Sequence, residues 1–188
     1  MYRPARRPVS VHPRVLTLTD STWPVRPETA ADISAVHAVN AAAFPTEAEA
    51  DLVEALRADQ SAWLPGLSHV AESPDGSIAA FALLTRCRVG DAPALALAPV
   101  ATAPEHQRRG AGSAVIRAVL DAARLRGEAL VLVLGHAAYY PRFGFVPASR
   151  YGIRPSFEVP DEAMMALVLD DSAPVARGTI EYPKAFGV

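Results

Sequence analysis

The stretch that decides the fold reads Pro104-Glu-His-Gln-Arg-Arg-Gly-Ala-Gly-Ser113. It lies between an apolar run at residues 95–103 and an amphipathic pattern at residues 114–126, which predict a strand and a helix. A glycine-containing turn that opens a helix exposes free backbone N–H groups, and the helix dipole adds positive potential there. The stretch therefore predicts a phosphate or pyrophosphate site, and Arg108 and Arg109 suit such a ligand.

The flanking segments extend this unit into an α/β fold with a mixed sheet. Residues 129–134 are apolar on both faces, as in a central parallel strand, so strand, helix and parallel strand form a right-handed crossover. Hydrophobic periodicity and turn residues mark the remaining elements. We predict strands at residues 23–26, 69–72, 78–89, 95–103 and 164–169 and from Phe145 onward, and helices at residues 29–43, 47–58, 114–126 and 137–142.

Two well-known phosphate loops do not fit the stretch. A P-loop needs Gly-x-x-x-x-Gly-Lys-Ser/Thr, which the chain lacks, and a dinucleotide fingerprint needs a third glycine where Val115 stands. What remains is Gln107-Arg-Arg-Gly-Ala-Gly112. It resembles the Gln/Arg-x-x-Gly-x-Gly/Ala loop of the GNAT superfamily of acetyl-CoA-dependent N-acetyltransferases, whose backbone amides hold the coenzyme A pyrophosphate.

The GNAT resemblance extends over about residues 23–170, in the family's order and spacing. Tyr139-Tyr-Pro-Arg-Phe-Gly-Phe145 resembles the closing Tyr-x-x-x-Gly-Phe element, and Val25-Arg-Pro-Glu-Thr-Ala-Ala-Asp32 resembles the opening strand and first helix start. Leu134-Gly-His-Ala-Ala and Gly178-Thr-Ile-Glu-Tyr-Pro-Lys-Ala-Phe-Gly187 further resemble the YhbS-like branch. The resemblance implies the GNAT-type acyl-CoA N-acyltransferase fold, a central mixed sheet of about six to seven strands flanked by about four helices.

Length and composition fit one folded domain. The 188 residues, 51% of them hydrophobic, suffice for a sizeable core, so we expect one domain at residues 21–188 after a flexible basic arm at residues 1–20. A net charge of −2 gives no overall basic field for nucleic acid. No apolar run approaches the roughly 18 residues that a membrane helix needs. We expect neither nucleic acid nor membrane as a partner, and a cytoplasmic location.

The chain has one cysteine, Cys87, which lies inside an apolar run. A single cysteine excludes an internal disulfide framework and a cysteine-rich metal site, and we expect Cys87 to be a core residue rather than a nucleophile. The five histidines lack metal-ligand spacing, and no Gly-x-Ser-x-Gly motif is present. The sequence therefore predicts neither a bound metal nor serine-nucleophile chemistry.

Pro99 marks where a coenzyme arm could enter the sheet. Proline donates no ladder hydrogen bond, so it lies at a strand edge or at a bulge, and a bulge would part this strand from the next one. In the GNAT fold the matching strands form a V that admits the pantetheine arm. The resemblance implies main-chain contacts to pantetheine from Val100, Ala101 and Thr102, and pyrophosphate contacts from Gln107, Arg108, Arg109, Gly110, Ala111, Gly112 and Ser113. A plain edge proline and a solvated arginine pair are the alternatives.

Acetyl transfer to an amine needs a base for the ammonium proton and an acid for the leaving thiolate. Tyr140 matches the tyrosine of the family's closing element, which commonly acts as that acid. A phenol with an ordinary pKa near 10 stays protonated at neutral pH. Tyr139 is the alternative donor, and packing of both rings in the core is the alternative without chemistry.

The sequence defines the base less well than the acid. Many GNAT members carry a glutamate on the strand before the loop, but residues 94–103 contain no acid. His136, just after the central strand, is a candidate for direct or water-mediated proton transfer, because an unperturbed histidine titrates near pH 6.5. Glu47 and Glu158 are further candidates if their segments line the acceptor pocket. A water chain without a dedicated base is the default hypothesis.

Together these features predict an enzyme that transfers an acetyl group from acetyl-CoA directly to a primary amine, without a covalent enzyme intermediate. The acceptor, a small molecule or a peptide, would contact residues 44–54 and loops near Phe157. These segments contain no sequence motif that identifies the acceptor. Two alternatives stay open: a non-catalytic acyl-CoA-binding module of the same fold, and a protein-interaction domain in which the loop is structural. A homodimer is compatible with this fold.

Overall fold

Nine strands and three α-helices make up the described part of the chain. The computed structural model describes residues 23–172 and 174–188, so the predicted arm at residues 1–20 lies outside the described residues. The strands are β1 (Val25–Pro27), β2 (Ser68–Glu72), β3 (Ile78–Val89), β4 (Ala92–Thr102), β5 (Leu130–Leu134), β6 (Val146–Pro147), β7 (Ile153–Arg154), β8 (Met164–Val168) and β9 (Gly178–Glu181). The helices are α1 (Ile33–Ala43), α2 (Ala48–Ala58) and α3 (Ala111–Leu125).

The strands form a mixed sheet in the order β1-β2-β3-β4-β5-β8-β6. Neighbours along this path pair antiparallel except β4 and β5, which pair parallel across the α3 connection. The short strand β9 pairs with the end of β3 and with β7. This topology confirms the predicted α/β fold with a mixed sheet. The strand count is higher than predicted because β7 and β9 are too short to give a periodic sequence signal.

The helix count is lower than the four predicted by resemblance. Residues 137–142 do not form an α-helix; a 3-10 turn at Tyr140–Phe143 takes their place. Gly144 ends this turn with a left-handed φ of 94°, which costs glycine little and other residues more. The tight turn sets the position of the tyrosine ring that follows β5.

Helices cover both faces of the sheet, so its strands are apolar on both sides. Alternate residues of β3 face the two cores: Ala82 and Leu84 pack with α3, whereas Phe81 and Leu83 pack with α1 and α2. The stripe that α3 buries has the predicted helical spacing and includes Val115, Ile116, Val119, Leu120 and Ala123.

Cys87 is buried in β3 as predicted, and burial raises the pKa of its thiol to about 12.

Asp32 anchors the entry to α1 through four hydrogen bonds. Its carboxylate accepts two from the Arg26 guanidinium, at 2.6 and 2.8 Å, and two from the Thr29 amide and hydroxyl, both at 2.8 Å. These bonds, those from Arg26 foremost, hold the pKa of Asp32 well below its ordinary value. A carboxyl group with a lowered folded-state pKa stabilises the fold above its unfolded pKa and loses that stabilisation as the pH falls through the folded one.

We expect Asp32→Asn to lower the free energy of unfolding at pH 7 by about 1–3 kcal/mol, because bonds to a buried charged acceptor are lost. The difference in free energy of unfolding between wild type and variant should become smaller as the pH falls below about 4, because the carboxyl of the unfolded chain takes up its proton there. Urea denaturation at pH 7 and at low pH measures both. Asp121→Asn is the matched control, since Asp121 pairs with Arg124 on the surface and should contribute little. If Asp32→Asn lowered the free energy of unfolding equally at both pH values, the ionised Asp32 carboxylate would not be the source of the stabilisation.

Candidate active site

A cleft opens where β4 and β5 diverge. The two strands pair only at Leu95–Val131 and Ala96–Leu132, and beyond these residues they separate. On the other side of β4, its register with β3 shifts between Ala82 and Leu84, so residues 98–99 form a bulge. The predicted bulge at Pro99 is therefore confirmed. Beyond Ala96 no pairing joins β4 to β5, so at Pro99 β4 has β3 alone as a neighbour, and the bulge lies on a locally open strand edge. The bulge and the edge interpretation of Pro99 therefore both hold.

The cleft has a cavity volume of about 1410 Å³ and brings most of the predicted site residues together. Its lining includes residues of β4, the end of β5, the loop before α3 and the segment after β5. The predicted site residues that line it are Val100, Thr102, Gln107, Arg108, Gly110, Gly112, Ser113, His136 and Tyr140. Ala101, Arg109 and Ala111 do not contribute side chains to the lining.

The three exceptions have a simple physical reason. Ala101 is 1% exposed and faces the α1–α2 core, and Ala111 is fully buried beneath the first turn of α3. Arg109 is exposed, and its carbonyl accepts a hydrogen bond of 2.8 Å from the Trp23 indole. Ala101 and Ala111 can therefore offer a ligand main-chain groups only, whereas the Arg109 side chain lies on the surface outside the lining.

The loop before α3 presents a row of free backbone donors. The first helical bond of α3 runs from the Ala114 amide to the Gly110 carbonyl, at 2.9 Å. None of the amides of residues 108–113 donates to an acceptor within the described ranges. Left-handed conformations at Arg108 (φ 59°) and Gly110 (φ 95°) turn the chain into the helix. Free amides at the positive end of a helix form an anion site.

The two tyrosines after β5 differ in their hydrogen bonding. The Tyr139 hydroxyl pairs with Ser113 Oγ at 3.1 Å, and the Arg142 guanidinium lies over its ring at 4.4 Å. The Tyr140 hydroxyl makes no hydrogen bond to any residue in the described part of the chain, and its ring packs edge-on to Phe145 at 5.7 Å. Burial raises the pKa of Tyr140 to about 12. In the described part of the chain, the Tyr140 hydroxyl is therefore protonated at neutral pH and not engaged by a protein hydrogen bond.

Gly135 sets the position of the Tyr140 ring. A Cβ added at this glycine would overlap the ring, with Tyr140 Cε2 as the nearest atom. We expect Gly135→Ala to push the ring out of place and to lower turnover by more than about tenfold, since a shift of about 1 Å at a reacting group is costly. Steady-state kinetics measures the loss, and thermal unfolding checks the fold. Gly66→Ala, at a φ of 84° with no neighbour within 4 Å and outside the cleft, is the stability control: the strain should lower its melting temperature while turnover of the folded protein stays unchanged.

The acidic groups near the cleft differ from those predicted. Glu47 is exposed and outside the lining, and Glu158 lines a neighbouring cavity of about 670 Å³. Glu49, in the first turn of α2, is the acid that lines the cleft among the described residues. Sequence reasoning missed it, although its spacing of three residues from Leu52, another lining residue, places both on one helix face.

The cleft is open to both faces of the sheet. The amide loop begins α3, which packs on one face, whereas Phe44 and α2 belong to the layer on the opposite face. Two ligands can therefore approach from opposite sides and meet between β4 and β5. His136 is exposed and lines the cleft.

Within residues 23–172 and 174–188, no group of three or more His, Cys, Asp or Glu residues is placed to hold a metal ion. Of the helices in the same ranges, none combines the length and apolar character needed to cross a membrane.

Comparison with known proteins adds a family and several relatives. Residues 33–145 match the acetyltransferase (GNAT) family. The chain is 40% identical over 136 residues to the uncharacterized N-acetyltransferase YjhQ of Escherichia coli K12, a match that covers 70% of this chain and 74% of YjhQ. It is 29% identical to the uncharacterized N-acetyltransferase YhbS of the same strain, across 86% of this chain and 97% of YhbS.

Solved structures match at the level of the fold as well. The crystal structure of E. coli YhbS in complex with CoA superposes with a TM-score of 0.81 and 27% identity, covering 88% of this chain and 92% of that one. A GNAT family acetyltransferase from Brucella melitensis in complex with acetyl-CoA gives a TM-score of 0.71 and 27% identity, covering 87% and 97%.

Proposed function

Because the chain belongs to the acetyltransferase (GNAT) family, we propose that it transfers an acetyl group from acetyl-CoA directly to a primary amine. One observation carries the proposal: the free amides of residues 108–113 lie beside the gap between β4 and β5. The YhbS and Brucella melitensis structures hold CoA and acetyl-CoA respectively, which supports the same donor here.

The donor is held mainly by main-chain groups. The amides of residues 108–113 bind the pyrophosphate, and Arg108, which lines the cleft, adds positive charge. The pantetheine arm lies along Val100, Ala101 and Thr102, where β4 has left β5 and its outward backbone groups are unpaired. The thioester carbonyl lies near the β4 bulge, where a freed amide can stabilise the developing oxyanion.

The reaction moves two protons from nitrogen and one to sulfur. The ammonium first loses a proton, and the amine lone pair then attacks the thioester carbon. The new C–N bond forms, the C–S bond breaks, and the nitrogen loses its second proton. Tyr140 donates its phenolic proton to the leaving thiolate and is reprotonated from solvent, so one proton is released overall. His136 is the candidate that relays the nitrogen protons to water.

Direct transfer is supported by the absence of a suitable nucleophile in the described cleft. Cys87, the single cysteine, is buried in β3 outside the lining, and burial raises its thiol pKa to about 12. A thiol held protonated in this way cannot attack a thioester. The two-sided cleft instead allows donor and acceptor to be bound together.

One observation favours a second function, a non-catalytic acyl-CoA-binding module. No residue of β4 is acidic, so the strand beside the thioester offers no carboxylate base. Such a module would bind acetyl-CoA without releasing thiol in the presence of any amine. The homodimer and the cytoplasmic location stay predictions.

Calorimetric titration of the purified full chain with acetyl-CoA and with CoA tests the donor site. We expect micromolar binding of both, together with a rise in melting temperature that follows from binding to the folded state. Thiol release on addition of amines then separates the enzyme from the binding module. Absence of binding would overturn the donor assignment and favour the structural-loop alternative.

A further inference from the structure

The end of the cleft away from the amide loop carries an aromatic wall, formed by Phe157, Tyr182 and Phe186. The rings of Phe157 and Tyr182 lie 6.3 Å apart, and those of Tyr182 and Phe186 lie 5.1 Å apart. All three residues line the cleft together with Phe44 and Leu52. The Tyr182 hydroxyl is turned to Met164 Sδ, at 3.8 Å, so the wall meets the cleft with carbon surface.

Glu49 is the single acidic side chain among the described residues that line this cleft. Its Oε2 is buried, and no residue in the described ranges donates a hydrogen bond to it. A buried carboxylate oxygen without a donor is costly unless a ligand supplies one. α2 packs on the 3-10 turn Lys184–Phe186, so the carboxylate and the aromatic wall belong to the same side of the cleft.

The positive side chains of the lining are placed elsewhere. Arg108 belongs to the amide loop, and Arg142 lies over Tyr139, whose hydroxyl bonds Ser113 at the start of α3. Both cations therefore suit the phosphate-bearing donor. The opposite side presents the acidic side chain of Glu49 against apolar rings, which complements a cation attached to an apolar body.

We infer that the acceptor is a primary amine carried on an aromatic or long apolar body, with its ammonium group on Glu49 and its body against Phe157, Tyr182 and Phe186. This inference rests on the proposed function and specifies its acceptor. Glu49 binds the ammonium form and orients it, and His136 keeps the role of relaying the nitrogen protons to water. Amino sugars and hydrophilic polyamines do not match the wall, since they would bury polar groups against its carbon surface.

Three small probes test the two halves of the inference on the complex of the full chain with CoA. 2-Phenylethylamine has both the ammonium and the ring, 2-phenylethanol lacks the charge, and ethanolamine lacks the ring. Calorimetry should give at least tenfold tighter binding for 2-phenylethylamine than for either control. With acetyl-CoA in place of CoA, thiol release should show the same order in kcat/KM. Equal binding of the three probes, or no binding of 2-phenylethylamine, would overturn the inference.

Glu49→Gln isolates the charge, and Glu47→Gln is its matched control on the exposed side of the same segment. We expect Glu49→Gln to weaken 2-phenylethylamine at least tenfold while its 2-phenylethanol affinity and its Kd for acetyl-CoA stay within twofold of wild type. Glu47→Gln should change none of these values by more than twofold. An unchanged 2-phenylethylamine affinity in Glu49→Gln would overturn the assignment of Glu49.

The two proposals fail in distinguishable ways. If acetyl-CoA binds and a hydrophilic amine is acetylated while 2-phenylethylamine is not bound, the acetyltransferase stands and the acceptor class is wrong. If neither CoA nor acetyl-CoA binds, the proposed function fails and the acceptor inference fails with it.

Discussion

Replacing Tyr140 by phenylalanine should lower kcat by about 10²–10⁴-fold, the usual contribution of a positioned general acid. The ring would still pack against Phe145 and Gly135, so only the proton donor is lost. Without it, the thiolate must leave unprotonated or take its proton from water. Single-turnover thiol release measures the chemical step. Calorimetry should give a Kd for acetyl-CoA within about twofold of wild type, since a proton donor to the leaving thiolate acts in the transition state rather than in binding.

Tyr139→Phe is the matched control for this experiment. It removes the 3.1 Å bond between the Tyr139 hydroxyl and Ser113 Oγ, a positioning contact at the start of α3. Loss of one neutral hydrogen bond should change kcat/KM by less than about tenfold. If Tyr139→Phe lost far more activity than Tyr140→Phe, the acid would be Tyr139 and the assignment of Tyr140 would be wrong.

Gly112→Ala should weaken acetyl-CoA binding by about 10- to 100-fold. A Cβ at this position would lie 2.8 Å from Thr102 Oγ1, so the Thr102 side chain, α3 or the end of β4 must shift. The amides of residues 108–113 need donor–acceptor distances of about 2.7–3.2 Å to hold a pyrophosphate. Loss of one or two bonds to a charged acceptor, at about 1.5–3 kcal/mol each, gives the expected factor. Calorimetric titration measures it.

Removal of the clashing atom should restore binding. Thr102→Ala alone deletes an Oγ1 that makes no hydrogen bond in residues 23–172 and 174–188, so the single variant should bind nearly as wild type. The double variant Gly112→Ala, Thr102→Ala should regain most of the lost affinity, giving a positive coupling energy in a double-mutant cycle. If the changes in acetyl-CoA affinity of the two single variants simply added in the double variant, the close approach of residue 112 to Thr102 would not be the cause of the weaker binding.

Much of this fold was accessible from local sequence patterns. The strand at Ile78–Val89 was predicted to the residue, and β5 and β8 to within one residue, because long apolar runs bounded by turn residues give a strong signal. α3 begins at Ala111, three residues before the predicted start at residue 114. Gly110, left-handed at φ 95°, caps the helix, whereas the apolar stripe that indicated the helix begins only at Val115.

The site was accessible only in part. The loop at residues 107–113 and the bulge at Pro99 are predictable from single residues, because glycine adopts a left-handed φ and proline lacks the N–H that a strand pairing needs. Glu49 and Tyr182 do not follow in this way, because α2 and the segment after β9 reach the cleft only through tertiary packing. Glu47 and Glu49 look alike in the sequence, and only the orientation of α2 decides which carboxylate faces the cleft.

The separation of β4 from β5 also affects how the protein avoids aggregation. Unpaired strand edges on a protein surface can recruit strands of other chains, and natural sequences usually protect them with charged side chains. Residues 98–102 carry no charge, yet their open edge faces an internal cleft between the α3 layer and the α1–α2 layer. The position of the edge between two helical layers, rather than charge, keeps foreign strands away, which leaves these side chains free to stay small and uncharged.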